Sequence, residues 1–274
     1  MSRHVAAAVG AVARGLTAGM AKWPRIATRA QVAASLVPRV KVETVRGPLT
    51  FYTPSKTAMF WPRYGIKAEP QTHAWIDRMA PGEVLWDVGA SVGIYSLYAA
   101  LRGDLTVLAF EANPYTYQCL LRNVAENRLG GRVRPYLVAL AESAGLGTLY
   151  VESDEAGTVG NAFGDAKASQ LRADAGSLHL PMIALSLDAL AGPFGAAFPQ
   201  HIKIDVDSIE DKIVAGGGKV LANPRLRSVM IELHRDIDGR DARADAIVAR
   251  MAAHGFQVAE GEGVGEINYV FRRG

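Results

Sequence analysis

A chain of 274 residues with 49% hydrophobic and 21% charged content is long enough to bury one large core or two small ones. A formal net charge of +3 with Lys and Arg scattered through the central region, and no interleaved aromatic platforms, argues against nucleic acid as a partner. One cysteine, Cys119, excludes an internal disulfide, and no apolar run is long enough to span a bilayer.

Residues 1–42 differ from the rest: they hold no Asp or Glu, yet carry Arg3, Arg14, Lys22, Arg25, Arg29, Arg39 and Lys41. Val5, Val9, Val12, Leu16, Met20 and Trp23 recur at helical spacing, which predicts a basic amphipathic helix as an N-terminal appendage. Packing of that helix on its own domain or a second subunit is the plainer expectation. Peripheral contact of residues 1–25 with an anionic membrane is the sharper one. Arg14 interrupts the apolar segment too early for a secretory signal, although an Ala- and Arg-rich, acid-poor start also resembles an organelle transit peptide. Residues 43–80 read as a lead-in or cap: a short hairpin, an irregular stretch around Pro54 and Pro62, and a helix opening near Glu69. From this segment Tyr52, Phe60, Trp61, Tyr64 and Glu69 are candidates for one wall of a pocket. The bland alternative is a helix covering a sheet edge.

Residues 81–274 carry the main domain. An apolar run at 84–88 ends in Asp87, Gly89 and Gly93, and Ile94, Leu97, Tyr98 and Leu101 follow at helical spacing: strand, glycine turn, helix. A second run, 105–110, ends in Glu111 before Asn113 and Pro114 open another helix in cap and first-turn positions. Two strand ends tipped with carboxylates therefore lie side by side, where an open parallel sheet binds its ligand and where an acid can accept both ribose hydroxyls. The spacing is D-x-G-x-x-x-G rather than the dinucleotide G-x-G-x-x-G. An acid ahead of the glycines repels a diphosphate and welcomes an ammonium group, which favours S-adenosylmethionine over NAD. Asp87, Gly89, Ala90, Gly93, Glu111 and Asn113 are the candidate donor-binding residues. A third strand over 133–140 adds Ala139, with Val138 and Leu140, near an adenine. The helix over 115–129 holds Cys119 in its apolar pattern, consistent with a buried thiol in a reducing, cytoplasmic compartment. Asn123 and Asn127 read as organisers of helix and turn. A further strand covers 147–152, and 153–179, rich in Gly, Ala, Ser and Asp, is either a substrate-covering flap or a surface insertion.

Residues 202–206 form a buried strand that exits into Asp207, Ser208 and Glu210. Lys203, Asp205 and Asp207 alternate by two and share a face. Asp205 is the candidate residue at the reacting centre, and Lys203 is either its ion-pair partner or, if burial depressed its pKa, a base. On the next strand His234 is a candidate base, with Glu232 two residues earlier on the same face. A divalent ion on Asp205, Asp207 and Glu210 is conceivable, since hard cations take oxygen ligands, but no metal is expected. Helix 242–255 and strands 256–258 and 267–271 close the chain.

DVGASVG, FEANP, LLRNVAENRL, LSLDAL and HIKIDVDSIEDKIVAGGGKVLANPRLRSVMIELH, taken together and in this order, resemble the FkbM family of methyltransferases over roughly residues 48–273. The resemblance implies an α/β, Rossmann-like class I methyltransferase fold: a seven-stranded, mostly parallel sheet with one antiparallel strand. It also implies S-adenosylmethionine as methyl donor and a hydroxyl of a sugar, glycan or related natural product as acceptor. Asp188 in LSLDAL reads as a cap or turn residue. Two departures stand out: Ser91 where the family's DVGAN has Asn, and Asp207-Ser208 where D-V-E-G has Glu-Gly. They give weight to a rival, a catalytically silent binding module in an assembly; an NAD-dependent dehydrogenase is the other. The sequence leaves the acceptor and the oligomeric state open.

Overall fold

The computed structural model describes residues 2–164, 178–207, 209–233, 240–259 and 267–274. It divides into two compact units, Met1–Arg39 and Val40–Gly274. In the first, the single predicted helix is two: α1 (Ser2–Leu16) and α2 (Lys22–Ser35). The break has a local cause. Gly15 and Gly19 flank a turn at which Thr17 Oγ1 donates back to Ala13 O at 2.8 Å, and Arg29 Nε donates to Thr17 Oγ1 at 2.8 Å.

The second unit opens with a hairpin, β1 (Arg39–Thr44) and β2 (Gly47–Tyr52), followed by α3 (Lys56–Ala68) and α4 (Pro70–Asp77). The stretch expected to be irregular is thus helical through Pro62. Ser55 Oγ caps α3 by accepting from Ala58 N at 2.9 Å. Then come β3 (Val84–Val88), α5 (Ile94–Leu101), β4 (Thr106–Glu111), α6 (Pro114–Glu126), β5 (Val133–Leu137), β6 (Ala139–Leu140), β7 (Gly145–Val151) and β8 (Ala162–Phe163). The chain continues through β9 (Leu178–Leu185), α7 (Leu187–Ala191), β10 (His201–Ile204), α8 (Glu210–Ala215), α9 (Gly218–Ala222), β11 (Ser228–Glu232), α10 (Arg240–Ala253), β12 (Phe256–Val258) and β13 (Asn268–Arg273).

Seven strands pair in the order β12-β13-β11-β10-β3-β4-β5, with β13 antiparallel to both its neighbours and the remaining pairs parallel. This is the sheet the family resemblance implied. Period-two alternation divides its core: Leu85, Val107 and Ala109 face the α4, α5 and α6 side, whereas Trp86, Val88, Leu108 and Phe110 face the α7 to α10 side. The chain leaves β3 toward β4 and later returns to β10 on the other flank. A crevice opens where the strand order reverses.

The predicted third strand does not run straight from 133 to 140. It stops at Leu137, Val138 N donates to Glu111 O at 3.2 Å, and Ala139 and Leu140 join a second, four-stranded sheet of order β6-β9-β7-β8. Pro135 is tolerated in β5 because that strand is an edge. Asn123 and Asn127 fasten the hairpin to α6. Asn123 accepts from Tyr52 N at 2.7 Å and donates to Val92 O at 2.8 Å; Asn127 accepts from Thr50 N at 2.8 Å and donates to Thr50 O at 2.7 Å. Asp188 accepts from Lys219 N and Val220 N, so it caps α9, while Ser186 caps its own helix.

Candidate active site

A cavity of about 380 Å³ lies at the C-terminal ends of β3, β4, β10 and β11, within the size range of small-molecule sites. The β3-to-α5 turn forms its floor. Gly89 N and Ala90 N both donate to Phe110 O at 3.0 Å, which locks that turn onto the end of β4. Gly89 has φ +82, and a Cβ there would come within 1.9 Å of Asp205 O. Its glycine is therefore needed for a backbone-to-backbone approach between β3 and β10 as well as for the turn. Ser91 follows at φ 50, a left-handed conformation that Asn adopts more readily than Ser, which is a physical reason for the family's Asn at this place.

Glu111 lines the cavity with its carboxylate fixed at both oxygens: Oε2 accepts from Ser91 N at 2.8 Å and Oε1 from Asn113 N at 2.7 Å. Each oxygen keeps a lone pair for a ligand donor. Burial pushes this carboxyl up to about 7, assisted by the Asp207 and Asp87 charges and opposed by the two amides. Asn113 lines the cavity, caps α6 through Tyr115 N at 3.0 Å, and donates to Thr158 Oγ1 at 3.2 Å. Ala139 lines it too, from the smaller sheet, beside Val138 and Leu140.

Two candidate donor-binding residues do not line the cavity. Asp87 falls on the α5 face of β3, is buried, and accepts from Ser96 Oγ at 2.5 Å. Burial pushes its carboxyl up, against the pull of the adjacent Lys203. Asp87 therefore lies beneath the cavity floor, bonded to Ser96 and beside Lys203. Gly93, at φ +93, begins α5, and a Cβ there would come within 2.5 Å of Leu120 Cδ1. Its role is packing against α6.

Lys203 is paired across the sheet with Asp87, and its ammonium donates to Asp205 Oδ2. It is buried, with Nζ 4.8 Å from the Tyr95 ring centroid. Burial alone would lower its pKa, but the Asp205, Asp87 and Glu69 carboxylates outweigh that and hold it above the ordinary lysine value. A permanently protonated lysine is no base, so the expectation of a catalytic base at Lys203 gives way to its alternative, the ion pair. Asp205 itself lines the cavity, as do Asp207 and Glu232. His234 and Ser208 lie outside the described residues. Asp205 turns to Lys203 while Asp207 accepts from Gly160 N at 2.6 Å and Asn161 N at 2.9 Å. Among the described residues no three His, Cys, Asp or Glu side chains converge as a metal site.

The lead-in segment contributes Trp61, Gly65 and Glu69 to the wall, but not Tyr52, Phe60 or Tyr64. Opposite them runs a strap, 156–163, within the stretch 153–179 that the sequence left as either a substrate-covering flap or a surface insertion. It is tied at Ala156 O by Ser55 Oγ at 2.6 Å, at Gly157 O by Trp61 Nε1 at 2.9 Å, and at Gly157 N to Thr116 Oγ1 at 2.9 Å. Thr158 to Asn161 and Phe163 face the cavity. No local signal marks such a strap; every tie to it is long-range.

A central parallel sheet reversing at β3 and β10, closed by one antiparallel strand and with an acid placed for a ribose at the adjoining strand end, defines a Rossmann-like site for an adenosine-bearing cofactor. The residues fit S-adenosylmethionine: Glu111 offers two open acceptor positions, Val138, Leu140, Ile209 and Phe163 give an apolar slot for a base, and Asp205 and Glu69 put negative charge toward a cationic end. The sequence profile of the methyltransferase FkbM domain matches residues 87–258, and the chain belongs to that family. It is 32% identical over 203 residues to 31-O-demethyl-FK506 methyltransferase FkbM of Streptomyces tacrolimicus, covering 66% of this chain and 75% of that protein. Among solved structures it is similar to an rRNA-methylase homologue from Clostridium thermocellum at TM-score 0.47 and 8% identity, over 74% of this chain and 96% of that one. A SAM-dependent methyltransferase from Agrobacterium tumefaciens gives TM-score 0.46 and 10% identity, over 87% and 70%.

Proposed function

We propose that this methyltransferase acts on a neutral hydroxyl, of a sugar, glycan or related natural product. The observation that carries the reading is the charge of the cavity wall. Glu69, Glu111, Asp205, Asp207 and Glu232 line it, and among the described residues no Lys, Arg or His does. Carboxylates accept hydrogen bonds from hydroxyl-rich acceptors and repel phosphate- or carboxylate-bearing ones. The Streptomyces tacrolimicus relative, by its name a methyltransferase for 31-O-demethyl-FK506, supports transfer to oxygen on a natural product.

When bound, S-adenosylmethionine supplies an electrophilic methyl group on a sulfonium centre. The chain's own part is alignment and exclusion of water. Glu111 and Asn113 would hold one end of the donor, the strap and Trp61 would cover it, and Asp205, oriented by Lys203, faces the cavity with Glu69 and Glu232. A carboxylate of this wall would take the acceptor hydroxyl's proton as the methyl–oxygen bond forms and the methyl–sulfur bond breaks to leave a neutral thioether, and most of the rate gain would come from holding the reactants in line.

The test is methyl transfer from isotopically labelled donor to a panel of neutral glycosides and polyols, set against phosphorylated and carboxylated analogues. Product should form only with neutral acceptors, and Glu232→Gln should lower kcat/KM by about tenfold or more. Transfer confined to anionic acceptors, or donor binding with no transfer to any hydroxyl, would overturn the reading. The latter result would favour a silent binding module.

A further inference from the structure

The helical hairpin of the first unit turns its apolar residues outward. On α1, Val5, Val9, Val12 and Leu16 follow one another at helical spacing and are 59%, 47%, 62% and 81% exposed. They fall on a single stripe about 60° wide. Met20, Trp23 and Ile26 extend the apolar surface across the turn into α2, again exposed, with Trp23 at 72%. Polar bonds hold the hairpin together: besides its bond to Thr17, Arg29 donates through Nη2 to Arg14 O at 3.2 Å, and Arg25 Nη1 donates to Ala18 O at 3.5 Å. Those arginines close the end of α1 and join it to α2 without covering the stripe.

We infer that this hairpin docks on an anionic membrane surface. Charge selects that occupant. The first unit, Met1–Arg39, contains six Lys and Arg and no acid, while the whole chain carries only +3, so the positive charge is concentrated here and the remainder of the chain is net acidic. A second copy would bring an identically basic hairpin to the contact. Anionic headgroups instead neutralise the basic residues as the apolar stripe enters the headgroup boundary. Lys22 Nζ lies 5.3 Å from the Trp23 ring centroid, an amphipathic ring beside a cation, which suits that boundary. Helices of 15 and 14 residues are too short to cross a bilayer, so the mode is surface-lying. An anchor of this size is reversible. The proposal goes beyond the reaction assigned above and does not rest on it.

Cosedimentation of the full chain with vesicles of phosphatidylcholine, with and without about a quarter phosphatidylglycerol, tests it. Partitioning onto the anionic vesicles should exceed that onto neutral ones by about tenfold, and should fall by a similar factor near 1 M salt, where screening reaches about 3 Å. Val9→Asp with Val12→Asp should abolish it, and Trp23→Ser should weaken it, with calorimetric affinity for S-adenosylhomocysteine confirming that both variants are folded. Equal partitioning onto both vesicle types, or none onto either, overturns the proposal. So does a dimer in sedimentation velocity that Val12→Asp dissociates while vesicles bind nothing, since that would assign the stripe to a second copy.

Discussion

Glu111 shows how burial makes one carboxylate both a ligand group and a source of pH dependence. Its ordinary value is 4.5 and the folded protein raises it to about 7. Below the ordinary value both states are protonated and the group contributes nothing to stability. As pH rises toward 7 the unfolded chain ionises first, so the unliganded protein loses stability across that window. Thermal melts of wild type should therefore fall relative to Glu111→Gln between about pH 5 and 8. Affinity for adenosine, whose ribose donates to the ionised carboxylate and which has no group titrating in that range, should run the other way and strengthen as pH passes 7. At pH 8 Glu111→Gln should bind adenosine about tenfold or more weakly. A pH-independent affinity in wild type would remove Glu111 from the ribose site. This residue was readable from its place after an apolar run. Asp87 and Gly93 were not, because their roles are set by Ser96, Lys203 and Leu120, which reach them only through the folded sheet and the helix packed above it.

The strap over residues 156–163 is the element that completes the donor cavity, and on the β10 side one carboxylate oxygen of Asp207 accepts from two of its successive amides. A carboxylate in that position is worth more than a neutral acceptor, because both hydrogen bonds are charge-assisted. Asp207→Ala should loosen the β10 side of the strap and raise the dissociation rate of S-adenosylhomocysteine by about tenfold, with a smaller effect on association. Stopped-flow fluorescence with Trp61 in the wall can follow both rates, and an unchanged dissociation rate would deny the strap any part in retaining the ligand. Element by element, the sequence marked the regular strand-turn-helix units well, because each carries its own periodicity. It missed α3 because Pro62 suggested a break; the helix accommodates that proline, buried, in a segment capped by Ser55. The move of Ala139 and Leu140 into a second sheet was hidden because an apolar run does not say which partner strand it joins.

Across the whole main unit, the two edges of the large sheet have separate tasks. The C-terminal edge holds the cavity. At the opposite edge His201, buried, bonds Ser228 Oγ through Nδ1 at 2.7 Å and Glu83 Oε2 through Nε2 at 2.7 Å, while Trp75 Nε1 donates to the same Ser228 Oγ at 2.9 Å. Although Ser, His and Glu are aligned, Ser228 is buried and outside the cavity, so the cluster joins β10 and β11 to the residue preceding β3. His201→Ala would leave Glu83 and Ser228 without this partner and should cost about 2–4 kcal/mol. Denaturant unfolding should record that loss while donor affinity stays unchanged; a loss of affinity without loss of stability would contradict the division of tasks. Sheet order was legible from the succession of motifs, since each strand and the helix after it announced itself. The cluster was not, because its members lie far apart in the chain and no local spacing marks Glu83, His201 and Ser228 as partners.

The contact between Gly89 and Asp205 bears on how such an enzyme can change its acceptor. With no room for even one added carbon between Gly89 and the Asp205 carbonyl, the floor under the donor and the strand end that carries the Asp205 carboxylate are packed directly on each other. A substitution that displaced either would misalign both, so new acceptor specificity has to arise in walls that rest on neither strand end. Val159, in the middle of the strap, lines the cavity away from that contact and has no part in holding the donor. A change of acceptor with donor binding retained is therefore to be sought first at Val159, where a substitution alters the cavity wall without touching the residues assigned to the donor.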